Sequence, residues 1–179
     1  MLQLSPDLYL RPIRPEDHPR HLALMQRIYP QAFAYLWPDD GAWYVDRTHG
    51  EAPFLADLAT DDAHYQHVFF RNELIGIFRL KLDAENPDFP GQPALKLDRV
   101  YLDDAVRGHG IGTALIDYAK AETKRLGKSL LWLERMDSND ATIGFYRKCN
   151  FVEGGQFRLP FELMYTEFRG MYRLSWSKP

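Results

Sequence analysis

Three glycines at alternate positions have the spacing in this sequence that most clearly suggests chemistry. Gly108, Gly110 and Gly112 open the segment Ile111–Leu126, whose apolar residues recur at helical intervals. Glycine lets the backbone approach a ligand closely and adopt positive φ angles. The first N–H groups of a helix have no intrahelical acceptor, and the helix dipole makes that end positive. The segment therefore predicts a site for an anion such as a diphosphate.

Two better-known phosphate-binding motifs do not fit this spacing. A P-loop has a Lys-Ser/Thr pair after its second glycine, whereas Thr113 and Ala114 follow Gly112. The dinucleotide-binding pattern G-x-G-x-x-G needs a last glycine where Thr113 and Leu115 stand. A glycine-rich turn that only begins a helix is the structural alternative.

A second pair of polar residues lies on one face of a predicted helix. Asn139 and Tyr146 are seven residues apart in the segment Asn139–Cys149, which is nearly two turns at about 3.6 residues per turn. An amide and a phenol on a shared face can both reach one ligand. The structural alternatives are an Asn139 that only caps the helix and a Tyr146 that packs in the core.

Both segments resemble motifs of the GNAT acyltransferases. Residues 107–112, RGHGIG, are similar to the family signature R/Q-x-x-G-x-G/A, and residues 139–151 are similar to N-x-x-A-x-x-F/L-Y-x-K-x-G-F. The departures are Asp104, where relatives often have proline, Thr142 for alanine, and Asn150 for glycine. We expect Asn150 to adopt the left-handed conformation that often ends a helix. The order of the motifs, with the predicted buried strand Ser129–Glu134 between them, argues against coincidence.

The resemblance implies an N-acetyltransferase that uses acetyl-CoA as co-substrate and needs no metal. It implies that backbone amides hold the pyrophosphate at Arg107, Gly108, His109, Gly110, Ile111, Gly112 and Thr113. It also implies that the pantetheine arm lies along Val100, Tyr101 and Leu102 and contacts Asn139, while the Tyr146 hydroxyl reaches the thioester sulfur.

The transfer of an acyl group from a thioester to an amine needs a neutral amine and a protonated leaving thiolate. Tyr146 is the candidate general acid, because a tyrosine pKa near ~10 and a thiol pKa near ~8.5 permit proton donation. Asp98, in the strand before the glycines, is the candidate base, with a water relay as an alternative. A charge pair on a solvated strand face is the structural alternative for Asp98. A backbone N–H near Leu102 is the expected oxyanion donor.

The hydrophobic pattern predicts one α/β domain over residues 1–179. The predicted strands are Leu8–Arg14, His64–Arg71, Leu74–Asp83, Leu95–Leu102, Ser129–Glu134, Phe151–Phe157 and Leu163–Trp176. The predicted helices are Glu16–Ile28, Pro53–Ala59, Ile111–Leu126 and Asn139–Cys149, and the residues 30–51 and 86–93 are read as irregular. With the resemblance, this indicates a GNAT-like fold with a mixed, mostly antiparallel sheet of six to seven strands flanked by helices.

The acyl acceptor is predicted from an aromatic segment, residues 29–44. Phe33 and Tyr35, with Asp39 and Asp40 nearby, could hold a cation by ring faces and carboxylates. We therefore expect the primary amine of a small molecule as acceptor. A protein amine is the alternative, and a GNAT module that binds acyl-CoA without turnover is a further one.

The composition excludes several other classes. A net charge of −3 over 179 residues lacks the basic surface of a nucleic-acid binder. The single cysteine, Cys149, fits a reducing compartment, and neither a signal peptide nor an apolar run of ~20 residues is found. We expect a soluble cytoplasmic protein with no membrane partner, for which a homodimer through the C-terminal strands is compatible. His64 and His67 should face opposite ways on a strand, so no metal site is expected.

Overall fold

The computed structural model describes residues 1–177, with the side chains of residues 140 and 141 outside that description. Within this range the chain forms eight strands in the order β1-β2-β3-β4-β5-β6-β8-β7. The strands are β1 (Leu2–Ser5), β2 (Leu8–Pro12), β3 (Ala63–Phe70), β4 (Glu73–Lys81), β5 (Ala94–Leu102), β6 (Leu130–Met136), β7 (Val152–Arg158) and β8 (Gly170–Ser177). The helices are α1 (His18–Phe33), α2 (Ala42–His49), α3 (Glu51–Leu58), α4 (Ile111–Arg125) and α5 (Asp140–Lys148). The predicted α/β class with a mixed, mostly antiparallel sheet is confirmed.

The chain divides into two compact units, and the first consists of Met1–Arg79 with Arg99–Ile111. Strands β1, β2 and β3 pair antiparallel in this unit. Helix α1 buries an apolar stripe at helical spacing, formed by Leu24, Met25 and Ile28. This unit carries α1, α2 and α3 and the end of β5.

The second unit consists of Leu80–Asp98 and the chain from Gly112 onward. Strands β5 and β6 pair in parallel, which requires a long crossover connection. The ladder pairs Ala94–Leu97 with Leu130–Leu133, and β5 continues beyond it to Leu102. Strand β8 pairs antiparallel with both β6 and β7. The predicted burial of the apolar run in β6 is confirmed.

The structure corrects the predicted strands at both ends of the chain. It adds β1, so the described residues contain eight strands rather than six to seven. Sequence periodicity missed β1 because it is a four-residue edge strand with mostly exposed side chains. The last strand begins at Gly170 and not at Leu163, because a 3-10 helix, Thr166–Phe168, precedes it.

The structure also corrects the segment 30–51, which the sequence predicted to be irregular. Helix α1 continues through Pro30 to Phe33, and α2 follows. Pro30 lacks an N–H donor, but near the end of the helix this costs a single backbone bond. Asp39 supports the start of α2, because its carboxylate accepts from the N–H groups of Gly41 at 3.1 Å and Trp43 at 2.7 Å.

The prediction of a single domain over residues 1–179 stays a prediction, and its last two residues lie outside the described range. None of the helices in the described part of the chain has the length and apolar character that crossing a membrane requires.

Candidate functional site

The turn before α4 needs glycine for two different reasons. Gly108 and Gly110 have φ angles of +85° and +72°, a region that other residues rarely adopt, and the space around both is open. Gly112 instead permits close packing, because a methyl group there would lie 3.2 Å from Cζ of Phe145 and the ring would have to shift by a few tenths of an ångström. The turn therefore combines an open, left-handed backbone with a close approach of α5 to the start of α4.

The residues just before this turn are fixed by hydrogen bonds and by an ion pair with α1. Asp103 caps the 3-10 helix Asp104–Val106 by accepting from the N–H of Ala105 at 3.0 Å, and its carboxylate also pairs with Arg27 of α1. The N–H of Asp104 donates to Gln31 Oε1 at 2.8 Å. A proline at this position could not make that bond. The departure at Asp104 is thus matched by a partner on α1.

The remaining side chains of the turn face solvent or anchor the helix. Arg107 is exposed and donates to the Asp104 carboxylate at 2.6 Å. His109 is exposed, its Nδ1 lies 3.2 Å from the carbonyl of Val106, and its ring packs against Phe70. Ile111 is buried. Because the first N–H groups of α4 have no intrahelical acceptor, the turn fits an anionic group such as a diphosphate.

Asn139 begins α5 as its N-cap. Its side-chain oxygen accepts from the N–H of Thr142 at 3.4 Å, and the Thr142 hydroxyl donates to the Asn139 carbonyl at 2.8 Å. The capping alternative is therefore observed, and it also gives Thr142 a role that alanine could not fill. The amide N–H₂ of Asn139 takes no part in this cap, so ligand contact stays a prediction.

Tyr146 is fixed by the way α5 ends. Asn150 has a φ of +59°, so the predicted left-handed helix end is confirmed. The N–H of Asn150 donates to the Arg147 carbonyl at 2.9 Å, and the N–H of Phe151 donates to the Tyr146 carbonyl at 3.0 Å. These two bonds and the contact between the Tyr146 and Phe151 rings form a Schellman motif.

The environment of Tyr146 keeps its hydroxyl protonated. The residue is buried, and burial raises its pKa to about 12, with a smaller contribution from Cys149. The positive charge of Arg135 acts in the opposite direction on this pKa. At neutral pH the phenol is therefore a proton donor, as a general acid must be.

Asp98 and Arg99 lie on opposite faces of β5, as the alternation of a strand requires. The Asp98 carboxylate lies 3.4 Å from Lys81 Nζ and 3.7 Å from Lys96 Nζ. Arg99 pairs instead with Asp57 of α3. The charge pairs of the structural alternative are thus observed, but the Asp98 side chain is only 10% exposed and does not lie on a solvated face. Its role as a base stays a prediction.

The end of β5 packs closely against β4 and an aromatic cluster. A methyl group at Gly76 would clash with the carbonyl oxygen of Tyr101 and lie 2.7 Å from Leu102 Cδ2. The Tyr101 ring lies edge-on to Tyr29 and Phe33. Val100, which precedes Tyr101 in β5, is half-buried.

The predicted acceptor residues have different surroundings. Phe33 packs on Tyr29, with ring centroids 5.1 Å apart, and Tyr35 is 39% exposed. Trp37 is buried and donates from Nε1 to the Tyr29 hydroxyl at 3.0 Å. The carboxylate of Asp39 is used to cap α2, and the rings of Phe33 and Trp37 pack on Tyr29. Much of this segment therefore has a structural role.

The sequence analysis missed a cluster of three buried histidines in the first unit. His21 Nε2 lies 2.9 Å from His49 Nδ1, and His21 Nδ1 lies 3.4 Å from His67 Nε2. The Tyr65 hydroxyl lies 3.2 Å from His21 Nε2. One signal was available, because His21 shares the spacing of the apolar stripe of α1. The other two histidines reach it only through tertiary packing.

Burial keeps these three imidazoles uncharged. It lowers the pKa of His21 to about 3, of His49 to about 2 and of His67 to about 4. The Arg99 charge lowers the pKa values of His21 and His49 further. Among the residues that the structure describes, no group of three or more His, Cys, Asp or Glu has an arrangement that could hold a metal ion.

A protein-family model described as the acetyltransferase (GNAT) family matches residues 22–151. This chain belongs to the GNAT family. It is therefore an acyl-CoA-dependent N-acyltransferase, and the motifs that carried the resemblance lie inside the matched range. A curated relative, an uncharacterized N-acetyltransferase from Lactobacillus delbrueckii subsp. lactis, is 24% identical over 73% of this chain and 76% of its own length.

Solved structures share the fold of this GNAT protein. The paiA N-acetyltransferase from Thermoplasma acidophilum in complex with coenzyme A has a TM-score of 0.73 and 16% identity, covering 96% of this chain and 99% of its own. RimL, a ribosomal L7/L12 alpha-N-protein acetyltransferase in complex with coenzyme A, has a TM-score of 0.70 and 14% identity, covering 98% and 97%. A variant of the spermidine N-acetyltransferase SpeG from Vibrio cholerae has a TM-score of 0.66 and 15% identity, covering 97% and 95%.

Proposed function

We propose that this GNAT enzyme transfers an acetyl group from acetyl-CoA directly to the primary amine of a small molecule. The observation that carries the proposal is the turn before α4. Gly108 and Gly110 adopt left-handed conformations there, and the space beside both residues is empty. Such a turn presents backbone N–H groups to a diphosphate at the positive end of a helix. The coenzyme A complexes of paiA and RimL support the same ligand here.

In this proposal the backbone from Arg107 to Thr113 binds the pyrophosphate of acetyl-CoA. The pantetheine arm pairs with the backbone at Val100–Leu102, a stretch of β5 beyond the ladder that pairs Ala94–Leu97 with β6. The Asn139 amide, whose nitrogen is not used in the cap, donates to the arm.

The chemistry assigned to Tyr146 follows from its protonation state. When the acceptor nitrogen attacks, a C–N bond forms, the C–S bond breaks, and the thiolate leaves with the electron pair. The phenol gives its proton to that sulfur and regains one from solvent. Since burial raises the pKa of Tyr146 to about 12, complete transfer to a thiolate is uphill unless other groups stabilise the phenolate.

The acceptor nitrogen must lose its proton to a base. We assign this role to Asp98 or to a water relay that ends on it. The two lysines that pair with Asp98 compete with the acceptor for the lone pairs of its carboxylate.

A small-molecule amine is favoured by the rings of Phe33 and Tyr35, which can contact a cation or an apolar amine. The likeness to SpeG, named as a spermidine N-acetyltransferase, supports this class. The likeness to RimL, named as a ribosomal-protein acetyltransferase, makes a peptide amine the second candidate.

The binding of the co-substrate is tested by thermal unfolding with CoA. A ligand at about 100 times its Kd adds about 2.7 kcal/mol to the free energy of unfolding, which raises Tm. Gly110→Asp should abolish this shift, because it places bulk and negative charge where the diphosphate binds. Gly91→Asp is the matched control, since Gly91 also has positive φ and open surroundings. If Gly110→Asp responds to CoA as the parent does, the diphosphate is bound elsewhere.

The acceptor class is tested by CoA release from acetyl-CoA with three probes. These are spermidine, 2-phenylethylamine and a short peptide with a free N-terminal amine. Turnover with either small amine, well above that with the peptide, is the expected result. Preference for the peptide would establish the second candidate, and CoA binding without turnover of any amine would indicate a non-catalytic module.

A further inference from the structure

Arg135 is a buried guanidinium near the end of β6 that the family motifs do not explain. Its side chain is 4% exposed, and its Nη1 donates to the Met136 carbonyl at 2.8 Å. The guanidinium also lies over the Tyr172 ring, 4.9 Å from the centroid. Within the described residues its Nε has no hydrogen-bond partner. An arginine this deeply buried is costly unless its charge is used or compensated.

One carboxylate links Arg135 to the helix that carries Tyr146. Glu153 Oε1 accepts from Arg135 Nη2 at 3.3 Å and from Arg147 Nη2 at 3.2 Å. Arg147 follows Tyr146 in α5, and the Tyr146 ring packs on Phe151, two residues before Glu153. The guanidinium is therefore held at a fixed place relative to this end of α5.

Among the described residues, the carboxylate that pairs with Arg135 is shared with a second guanidinium. Glu153 is half-exposed and serves two guanidinium groups, of which the Arg147 group lies in solvent. A charge surrounded by protein is screened less than a surface charge. The contacts of Glu153 with Arg135 and with Arg147 place this charge at the end of α5 that carries Tyr146, where it lowers the pKa of Tyr146 against the effect of burial.

We propose that Arg135 is a positioning residue for acyl transfer, which stabilises the negative charge that forms at the Tyr146 oxygen and the leaving sulfur. This inference rests on the proposed function, which places the thioester sulfur next to Tyr146. When the C–S bond breaks, the electron pair goes to sulfur. The phenol proton follows, and the phenolate that remains takes a proton from solvent. Arg135 exchanges no proton in these steps and lowers their cost by its charge alone.

A purely structural role for Arg135 makes a different prediction about Glu153. If Arg135 only anchors β6 to β7 and α5, then Glu153→Gln removes part of the anchor and lowers kcat as Arg135→Met does. If Arg135 acts by its charge, Glu153→Gln removes the opposing charge and leaves kcat unchanged or raised.

The first experiment measures the ionisation of the thiol of bound CoA by thiolate absorbance against pH. We expect Arg135→Met to move the midpoint to higher pH by about one pH unit, and Arg135→Lys to stay near the parent. Arg173→Met is the matched control, because Arg173 also pairs with a carboxylate, Asp88, and lies over a ring, Phe157. An unchanged midpoint in a folded Arg135→Met protein that binds CoA overturns the proposal.

The second experiment is a double-mutant cycle with the probe amine that gives the highest turnover. Arg135→Met should lower kcat about ten-fold, with the KM for acetyl-CoA nearly unchanged, and Arg135→Lys should restore most of it. In the Tyr146→Phe background, Arg135→Met should lower kcat by a smaller factor than in the parent, because only its effect on the leaving sulfur remains. Equal losses in both backgrounds would mean that Arg135 does not act through Tyr146.

The outcomes separate this proposal from the proposed function. No CoA binding by the parent protein removes both. Normal kcat in Tyr146→Phe removes the general-acid role and, with it, the proposal for Arg135. If Tyr146→Phe has a low kcat while Arg135→Met has a normal kcat and a normal thiol midpoint, the proposal for Arg135 is removed and the proposed function stands.

Discussion

A nearby arginine has opposite consequences in the two buried polar regions of this molecule. In the first unit, burial and the charge of Arg99 both lower the pKa of His21 and His49, so the two effects add. In the second unit, burial raises the pKa of Tyr146 and the charge of Arg135 lowers it, so the two effects oppose each other. A positive charge disfavours a second cation and favours an anion.

The difference indicates which region is suited to proton transfer. The histidine cluster is driven far from ionisation and stays neutral over the physiological range, which suits a structural polar core. Tyr146 is also neutral, but a fixed positive charge lowers the cost of its anion. Burial alone therefore does not identify an acid or base, and the sign of the neighbouring charge must be considered as well.

The largest expected effect is acid destabilisation by the histidine cluster. The unfolded histidines have pKa values near ~6.5, so below that pH the unfolded chain binds up to three more protons than the folded one. The contribution is fully present above pH ~6.5 and is lost as the pH falls toward the folded values. The free energy of unfolding should fall by up to about 4 kcal/mol per pH unit, measured by urea unfolding between about pH 7 and about pH 5.

Variants should be compared by how steeply their free energy of unfolding changes with pH, rather than by its value at one pH. His67→Phe should reduce the slope by about one proton, and His64→Phe on the same strand is the matched control. A slope unaffected by His67→Phe would mean that His67 binds its proton equally in the folded and unfolded protein, which would break the contrast with Tyr146.

The next largest effect concerns the second region. Tyr146→Phe should lower kcat by about 10²–10⁴-fold, because it removes only the proton donor. The Kd for CoA should be nearly unchanged, as measured by calorimetry. His67→Phe should leave kcat unchanged when kcat is calculated per folded molecule. Loss of turnover in His67→Phe with normal turnover in Tyr146→Phe would reverse the roles of the two regions.

The sequence predicted the parts of the site that local backbone geometry determines. Gly108 and Gly110 at the start of α4, and Asn150 at the end of α5, follow from the rules for left-handed residues at helix ends. Arg135 and the histidine cluster could not be predicted in this way. Their partners come from distant segments, such as Glu153 for Arg135, and a single sequence carries no direct signal of such contacts. The end of α1 was misjudged for a different, local reason, because Pro30 suggested that the helix stops earlier than Phe33.

A smaller effect is expected for the acceptor residues in the first unit. The double substitution Phe33→Ala with Tyr35→Ala should raise the KM for the probe amine several-fold while the KM for acetyl-CoA changes little. The physical reason is that a ring face contributes about 0.5–2 kcal/mol to the binding of a cation. Steady-state kinetics with both substrates varied measures this. Equal changes in both KM values, or a large fall in Tm, would show that the two rings have only a packing role, as Phe33 has against Tyr29 and Tyr101.

The smallest expected effect tests whether the end of α5 positions Tyr146. Asn150→Ala should cost about 1 kcal/mol in the free energy of unfolding, because alanine tolerates the φ of +59° poorly, whereas Asn150→Gly should be nearly neutral. Since the N–H of Phe151 holds the Tyr146 carbonyl, strain at Asn150 should also lower kcat slightly in the alanine variant and not in the glycine variant. Urea unfolding and kcat at saturating acetyl-CoA measure the two quantities. If alanine and glycine are equally stable and active, the left-handed turn does not constrain Tyr146. Its orientation would then come from the contact with Phe151 alone.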